Sequence, residues 1–183
     1  MADGLSGLEV GALAQAPSIA DVGAGAGFPG LVLAAALPET PVDLIESTRR
    51  KCEVIDRLAA AAGMANARSI PARVEEWAAE RGRGAYGAVT ARAVGPLAVL
   101  VEYAAPLLSE DGVLVAWKGA RDRGEEHAAL AAAARLGLEP EEVRRVVPFP
   151  EARERHLHVL RKTRPTPTGF PRRPGMARKR PLR

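Results

Sequence analysis

The sequence predicts an α/β fold with a mainly parallel seven-stranded sheet and helices on both of its faces. Three observations carry this prediction. Short apolar segments typical of strands alternate along the chain with segments typical of helices. A glycine-rich stretch, residues 21–30 (DVGAGAGFPG), joins the first strand of this pattern to its first helix. The last two strands have no long helix between them, so they can pair as an antiparallel C-terminal hairpin.

The predicted strands are residues 18–22, 42–46, 67–71, 87–91, 113–118, 142–147 and 157–161. The predicted helices lie between them, at residues 29–37, 48–62, 74–81, 96–108 and 122–136. Gly63, Gly112 and Gly137 stand near predicted helix ends, where glycine is favoured. In an open sheet of this kind ligands bind beyond the carboxyl ends of the strands, so functional residues are expected just after each strand.

Length and composition indicate one α/β domain at residues 18–162, preceded by a short segment at 1–17 and followed by a tail at 163–183. No run of residues approaches the ~20 apolar residues of a membrane span, so no membrane partner is expected. A single cysteine, Cys52, excludes an internal disulfide framework and suits the cytoplasm. The three histidines are not spaced as metal ligands, so no metal site is expected.

Charge is distributed unevenly along the chain. Residues 161–183 contain nine Lys or Arg residues and no acid, whereas the other 160 residues carry 17 basic and 22 acidic residues, a net charge of −5. A basic tail of this kind is typical of polyanion binding. Because five prolines interrupt it, we expect an extended surface arm that becomes ordered only on binding.

The glycine-rich stretch fits two classes of nucleotide-like ligand. Gly25, Gly27 and Gly30 have the G-x-G-x-x-G spacing of dinucleotide-binding loops. Asp21 followed by Gly23, Gly25 and Gly27 has the register of enzymes that use S-adenosylmethionine (SAM). SAM carries a cationic sulfonium and an ammonium group, so an acidic residue at the strand end favours it over a pyrophosphate. The loop therefore favours SAM and leaves a dinucleotide open.

Residues that follow the later strands indicate further contacts to the nucleotide-like ligand and a second, anionic ligand. Glu46 ends the second strand, where a carboxylate can accept hydrogen bonds from ribose hydroxyls, although it could instead cap the next helix. Residues 72–75 can lie at the edge of an adenine ring. Arg92 and Lys118 follow the fourth and fifth strands. Unless they are ordinary surface charges, two cations at this position favour an anionic substrate such as RNA.

The motifs that are missing from the sequence narrow the chemistry. The fourth strand is not followed by the Asn-Pro-Pro-aromatic motif with which methyltransferases hold an exocyclic amino group. The sequence also has no Pro-Cys or Thr-Cys nucleophile of the kind that methylates pyrimidine carbons. The ring nitrogen N7 of guanine is an acceptor that needs neither, since its lone pair is free at neutral pH. Transfer to it requires placement and desolvation rather than a general base.

Together these motifs resemble one family, the RsmG (GidB) methyltransferases of bacterial small-subunit ribosomal RNA. The tail, the ARA element (91–93) and the KG element (118–119) are specific to this family, whereas many enzymes share the glycine loop. The matching segments cover nearly the whole chain from about residue 18: DVGAGAGFPG (21–30), LIES (44–47) followed by RRK, ARVEE (72–76), TARAVGPL (90–97), WKG (117–119), ERHLHVLRK (154–162) and TPTGFPRRPGMARKRPL (166–182).

The resemblance implies a Rossmann-like class I SAM-dependent methyltransferase fold, with SAM as cofactor and methylation of N7 of one guanine in 16S rRNA. It implies a monomeric cytoplasmic enzyme whose partner is the small ribosomal subunit or its precursor. It places Gly23, Phe28, Val74 and Glu75 at the cofactor, and Arg92 as the catalytic residue that closes the cavity toward the methyl group. From the fold we add Gly25 and Glu46. We assign RNA contact to Lys118, Arg155, Arg172, Arg173, Arg178, Lys179 and Arg180.

The chain departs from this family at its N-terminus. Family members normally begin with a helical segment of several dozen residues that contains Asn-Leu-Thr and Asp-Ser-Leu elements. Here Asp3, Gly4 and Leu5 resemble the end of that segment, with glycine in place of serine, and we interpret residues 1–17 as its remnant. Two alternatives stay open: an NAD-dependent oxidoreductase, and a non-catalytic RNA-binding module that has kept the fold.

Overall fold

A computed structural model of the protein describes residues 1–152 and 154–182. Its sheet has the strand order β3-β2-β1-β4-β5-β7-β6. The first five strands run parallel, and β7 pairs antiparallel with both β5 and β6. The predicted mainly parallel seven-stranded sheet with an antiparallel hairpin is therefore confirmed. The strands are β1 (Ile19–Val22), β2 (Val42–Ile45), β3 (Ala67–Ile70), β4 (Tyr86–Arg92), β5 (Leu108–Lys118), β6 (Leu138–Arg145) and β7 (His156–Lys162).

Helices cover both faces of the sheet and enclose two apolar cores. Successive residues of β1 show the division, since Ile19 belongs to one core and Ala20 to the other. The first core lies under α2, α3 and α4, and the second under α5, α6 and α7. The helices are α1 (Ala2–Leu5), α2 (Gly11–Ala14), α3 (Gly30–Ala36), α4 (Arg49–Ala61), α5 (Val74–Ala79), α6 (Leu97–Ala104), α7 (Arg123–Leu136) and α8 (Met176–Lys179).

Two predicted strand starts are wrong. β5 begins at Leu108 rather than at residue 113, and the preceding helix ends at Ala104. The Ser-Glu-Asp-Gly stretch at 109–112 is typical of a turn, and here it continues the strand beside an irregular register in β4. β6 begins at Leu138 rather than at residue 142, with a register shift after Pro140. Proline is tolerated there because β6 is an edge strand.

Residues 1–17 pack on the sheet as short helical turns. Leu13 of α2 is fully buried in the first core. Gly7 lies against the ring of Trp117 so closely that a Cβ would come within 2.4 Å of it. Among the described residues no helix is long and apolar enough to cross a membrane.

The tail packs against the domain, which corrects the expectation of an extended arm ordered only on binding. Ala177 and Leu182 are buried in the second core. Arg172 forms an ion pair with Glu102 of α6, with a 2.6 Å contact from Nε to Oε1. Prolines prevent a long helix, but they do not prevent packing, and α8 is a single turn between Pro174 and Pro181. The carboxylate that holds the tail is that of Glu102, which is distant in the sequence, so the composition of the tail alone could not reveal the contact.

Candidate active site

A cavity of about 470 Å³ opens at the carboxyl ends of β1 to β4. Its position is the one expected for a ligand in an open α/β sheet. The structure brings all the residues predicted to bind the cofactor to this one cavity, including the predicted catalytic residue: Gly23, Gly25, Phe28, Glu46, Val74, Glu75 and Arg92. Their individual roles toward a ligand stay predictions.

The glycine loop, residues 23–29, forms the floor of the cavity. Gly23 has φ +64°, and a Cβ at this position would lie 2.8 Å from Val94. Gly25 has φ +59°, and a Cβ there would meet nothing closer than 3.8 Å. Glycine is therefore needed at 23 for packing and conformation, and at 25 for a left-handed backbone with an unobstructed face.

Asp21 does not face the cavity, so the interpretation that its charge serves a cationic cofactor is wrong. It is 1% exposed, and its two carboxylate oxygens accept hydrogen bonds from Gly30 N–H at 2.9 Å and Thr90 Oγ1 at 2.8 Å. Burial raises the pKa of Asp21 to about 7, against the opposing effect of these bonds and of Arg92. Asp21 therefore joins the glycine loop, α3 and β4 rather than binding a ligand.

Glu46 is the carboxylate that faces the cavity. Its Oε2 accepts the Gly25 N–H at 3.1 Å, its Oε1 accepts the Thr48 N–H at 2.8 Å, and Lys51 Nζ lies 3.9 Å away. Burial opposes ionisation, but the hydrogen bonds from Thr48 and Gly25 and the charge of Lys51 lower the pKa of Glu46 overall. The alternative that Glu46 caps the next helix is partly realised, since Thr48 is the residue before α4. A held carboxylate at this position can still accept ribose hydroxyls.

The loop geometry fits SAM better than a dinucleotide. A dinucleotide site directs the first backbone N–H groups of the helix after the loop at a pyrophosphate. Here the Gly30 N–H donates to Asp21, the Gly25 N–H donates to Glu46, and Pro29 has no N–H. Carboxylates therefore already accept the N–H groups of Gly30 and Gly25, which are not free for a pyrophosphate. A cofactor without a phosphate suits this loop.

Arg92, which lines the cavity, belongs to a group of three charged side chains that we call the mouth cluster: Asp3, Arg92 and Arg155. Asp3 Oδ2 accepts a 2.9 Å hydrogen bond from Arg92 Nη1, and Arg155 Nε lies 3.8 Å from Asp3 Oδ1. Trp117 Nε1 donates to the Asp3 carbonyl at 2.7 Å, which fixes the backbone of this residue. Sequence reasoning treated Asp3 only as part of a family element and missed its contact with Arg92.

The remaining predicted RNA-binding residues occupy three different settings: exposed on the tail, paired with a carboxylate, or lining the cavity. Arg173, Lys179 and Arg180 are exposed on the tail, as an RNA contact requires. Lys118 is paired with Glu125 at 2.5 Å beside the carboxyl end of β5. Arg172 is engaged by Glu102, whose side chain is 3% exposed, and this ion pair gives it a structural role. Arg178 lines the cavity itself.

Tyr103 is a lining residue that the sequence did not reveal. It lies in helix α6 beside the buried Glu102, and its aromatic ring is not distinguished in the sequence from the surrounding core residues. Burial raises the pKa of Tyr103, to which the charge of Glu75 also contributes, while Arg178 lowers it. The hydroxyl therefore stays protonated and is available as a hydrogen-bond donor or acceptor on this side of the cavity.

Two of the three histidines, His156 and His158, lie in β7, and His127 lies in α7. His156 Nδ1 lies 2.9 Å from the Gly119 carbonyl, and His158 lies 3.9 Å from Glu126. Within residues 1–152 and 154–182, no three His, Cys, Asp or Glu side chains group in a way that could hold a metal ion.

Comparisons with known proteins identify the family. The sequence profile of GidB, rRNA small subunit methyltransferase G, matches residues 1–157. The chain belongs to this family. It is 42% identical over 175 residues to ribosomal RNA small subunit methyltransferase G of Rubrobacter xylanophilus, covering 93% of this chain and 67% of that protein. The same-named protein of Pelotomaculum thermopropionicum is 40% identical over 182 residues, covering 98% of this chain and 76% of the relative.

The structural comparison agrees with this family. A SAM-dependent methyltransferase from Aquifex aeolicus superposes with a TM-score of 0.62 at 14% identity, covering 80% of this chain and 82% of that one. The predicted class I SAM-dependent methyltransferase fold and SAM as cofactor are thereby confirmed, and so is the prediction of an rRNA methyltransferase. The alternative of an NAD-dependent oxidoreductase is not supported.

Proposed function

We propose that the protein transfers a methyl group from SAM to N7 of a guanine in 16S rRNA of the small ribosomal subunit. The observation that carries this proposal is that the cavity and the mouth cluster share one residue, Arg92. The cavity that gathers the predicted cofactor residues opens directly onto the mouth cluster, where Arg92 lines the cavity and also pairs with Asp3. A cofactor and an anionic nucleic acid can therefore meet at Arg92.

Residues that follow β1, β2 and β3 would hold the cofactor. Glu46 would accept the ribose hydroxyls, and Val74 and Glu75 would lie beside the adenine. Gly25 permits close approach of the loop backbone, because no side chain covers it. When bound, SAM supplies an electrophilic methyl group on its sulfonium.

The state of the cavity carboxylates supports a ring nitrogen as the acceptor. Glu46 already accepts two backbone N–H groups, and Glu75 accepts the Gly175 N–H at 2.8 Å. Neither carboxylate is poised to remove a proton from an exocyclic amine. N7 of guanine carries a lone pair at neutral pH, so this chain needs only to orient the base and exclude water. Arg92 would hold the base or its phosphate at the mouth.

The RNA would lie across the mouth cluster and the exposed face of the tail. Phosphate contacts from arginine and lysine fix orientation without reading sequence. We therefore infer that the choice of guanine depends on the shape of the folded rRNA around it. Action in the cytoplasm as a monomer is part of the same proposal. Of the predicted RNA contacts, those at this surface are Arg155, Arg173, Arg178, Lys179 and Arg180, whereas Lys118 and Arg172 are paired with Glu125 and Glu102.

A methylation assay tests the proposal. The protein is incubated with SAM carrying a labelled methyl group and with small ribosomal subunits that lack the modification, and the labelled nucleoside is identified by mass spectrometry. Label in 7-methylguanosine at one mapped position is expected. Label at another atom, or none, would contradict it, and RNA binding without transfer would favour the non-catalytic module.

Arg92→Ala is expected to lower the rate of transfer at least about 100-fold, because the arginine at the mouth no longer orients the substrate. Arg57→Ala is the matched control, since Arg57 is exposed in the middle of α4. Circular dichroism should show both variants folded. An unchanged rate in Arg92→Ala would refute its catalytic role.

A further inference from the structure

The tail contributes one residue to the lining of the cavity. Arg178 lines the cavity, and its Nη2 donates a 2.9 Å hydrogen bond to the carbonyl of Val94. Val94 in turn lies against Gly23 of the glycine loop. Earlier in the tail, the Gly175 N–H donates to Glu75 Oε1 at 2.8 Å. The tail therefore contacts cavity residues that follow two different strands, β3 and β4.

The tail is held in this place by contacts outside the cavity. Arg83 Nη1 donates to the Phe170 carbonyl at 2.9 Å, and Arg172 pairs with the buried carboxylate of Glu102. Beyond the cavity, Ala177 and Leu182 are buried in the second core. Anchors on both sides of Gly175 and Arg178 thus position the segment that meets the cavity.

The same short segment presents charge to solvent. Arg173, Lys179 and Arg180 are exposed, and each lies within two or three residues of Gly175 or Arg178. A phosphate backbone that engages these cations would hold the docked segment in place. The contacts that the segment makes at the cavity would then be held as well.

We propose that the tail is a cofactor-binding element as well as an RNA-binding one, with Arg178 and the Gly175 N–H at the rim of the SAM cavity. Its RNA contacts and cofactor binding then strengthen each other. This inference rests on the proposed function. The physical basis is a shared equilibrium: each ligand would favour the docked tail over an undocked one, so a tail held by the first ligand is already in place for the second. By linkage, the factor must be the same in both directions.

The first test is calorimetry of S-adenosylhomocysteine binding to the full chain. Arg178→Gln is expected to weaken binding at least about fivefold, because the planar guanidinium at the rim is lost. Arg57→Gln is the matched control and should bind within about twofold of the unmodified protein, because this exposed arginine lies in the middle of α4. Since the Arg178 side chain is at the surface, thermal unfolding should show that both variants remain folded.

The results separate two failures. If Arg178→Gln binds S-adenosylhomocysteine as tightly as the unmodified protein, the tail is not part of the cofactor site, while the proposed function stands. If the unmodified protein itself does not bind S-adenosylhomocysteine, the proposed function and this inference both fail.

The second test measures the coupling. A guanine-containing RNA hairpin labelled with a fluorophore is titrated with the protein, with and without saturating S-adenosylhomocysteine. At least about fivefold tighter RNA binding is expected with the cofactor product present, and this gain should disappear in Arg178→Gln. Equal RNA affinity in both conditions would overturn the coupling.

Discussion

The glycine loop and the tail enclose the same cavity, but they are built in different ways. The loop lies between β1 and α3, and its contacts belong to the first core. The tail reaches the cavity from outside and is docked on α6 by an ion pair, buried apolar groups and a few backbone contacts. We infer that the loop can change only with the fold, whereas the tail can detach while the sheet stays intact. The loop side of the cavity is therefore present whenever the sheet is folded, whereas the tail side is present only while the tail is docked.

The largest effect is expected from Gly30→Ala, which disturbs the loop side. The new Cβ would lie 2.7 Å from Leu44 and 2.8 Å from Asp21 Oδ2, both of which are buried. We expect a loss of about 3 kcal/mol in the free energy of unfolding, measured by urea denaturation. Gly11→Ala is the control, because a Cβ there meets nothing within 4 Å. Equal stability of the two variants would mean that the loop is less tightly packed than the structure indicates.

The next effect is a pH dependence located at Asp21. Its folded pKa of about 7 lies above that of an exposed aspartate, so the protonated form stabilises the fold. This contribution is complete below about pH 4 and is lost as the pH rises through 7, a change of about 2 kcal/mol between pH 5 and pH 8. Asn mimics the protonated acid. The free energy of unfolding of Asp21→Asn should therefore depend less on pH, and at pH 8 it should be higher relative to that of the unmodified protein than it is at pH 5. Parallel pH profiles in urea denaturation would contradict this role.

A smaller effect on global stability is expected at the tail. Arg172→Gln leaves Glu102 without its cation, but the tail can undock and expose that carboxylate to water. The expected cost is therefore only about 1–2 kcal/mol, below that of a buried pair in a rigid core. Amide hydrogen exchange should show faster exchange in residues 172–182 and unchanged exchange in β1 and β4. The control is Arg161→Gln, which breaks a partly exposed ion pair with Glu141 on the β6–β7 hairpin. Uniformly faster exchange would show that the tail and the core unfold together.

The same contrast explains what the sequence could predict. The loop is encoded by residues close together in the chain, so its spacing marked it as a ligand-binding loop. Within it, the family resemblance assigned Gly23 and Phe28 to the cofactor, and the fold added Gly25. The tail is held by partners far away, since Arg172 and Glu102 are 70 residues apart. Proline content and charge could not reveal that pairing, and they pointed to an extended arm. Tyr103 was not predicted as a cavity residue for a similar reason, because only the packing of α6 turns it toward the cavity.

Asp21 was misinterpreted for a local reason. The acid-x-G-x-G-x-G register locates the end of a strand, but it does not tell which face of the strand the acid occupies. Alternation along β1 places Asp21 on the same face as Ile19, under the loop and beside α3, with Gly30 as its neighbour. Glu46 on the next strand faces the cavity instead. Of the two acidic residues that sequence analysis placed near the ligand, Asp21 is therefore structural and Glu46 faces the cavity.

The mouth cluster has a consequence for how RNA binding responds to ionic strength. Its two cations, Arg92 and Arg155, already face the carboxylate of Asp3 before any nucleic acid arrives. A cation that exchanges one anionic partner for another adds less net charge to the contact than an unpaired one. Fewer condensed counterions are then released from the RNA for each arginine of the cluster. The affinity should consequently fall less steeply with salt than the number of basic side chains at this surface would suggest, which leaves binding effective at the ionic strength of a cell.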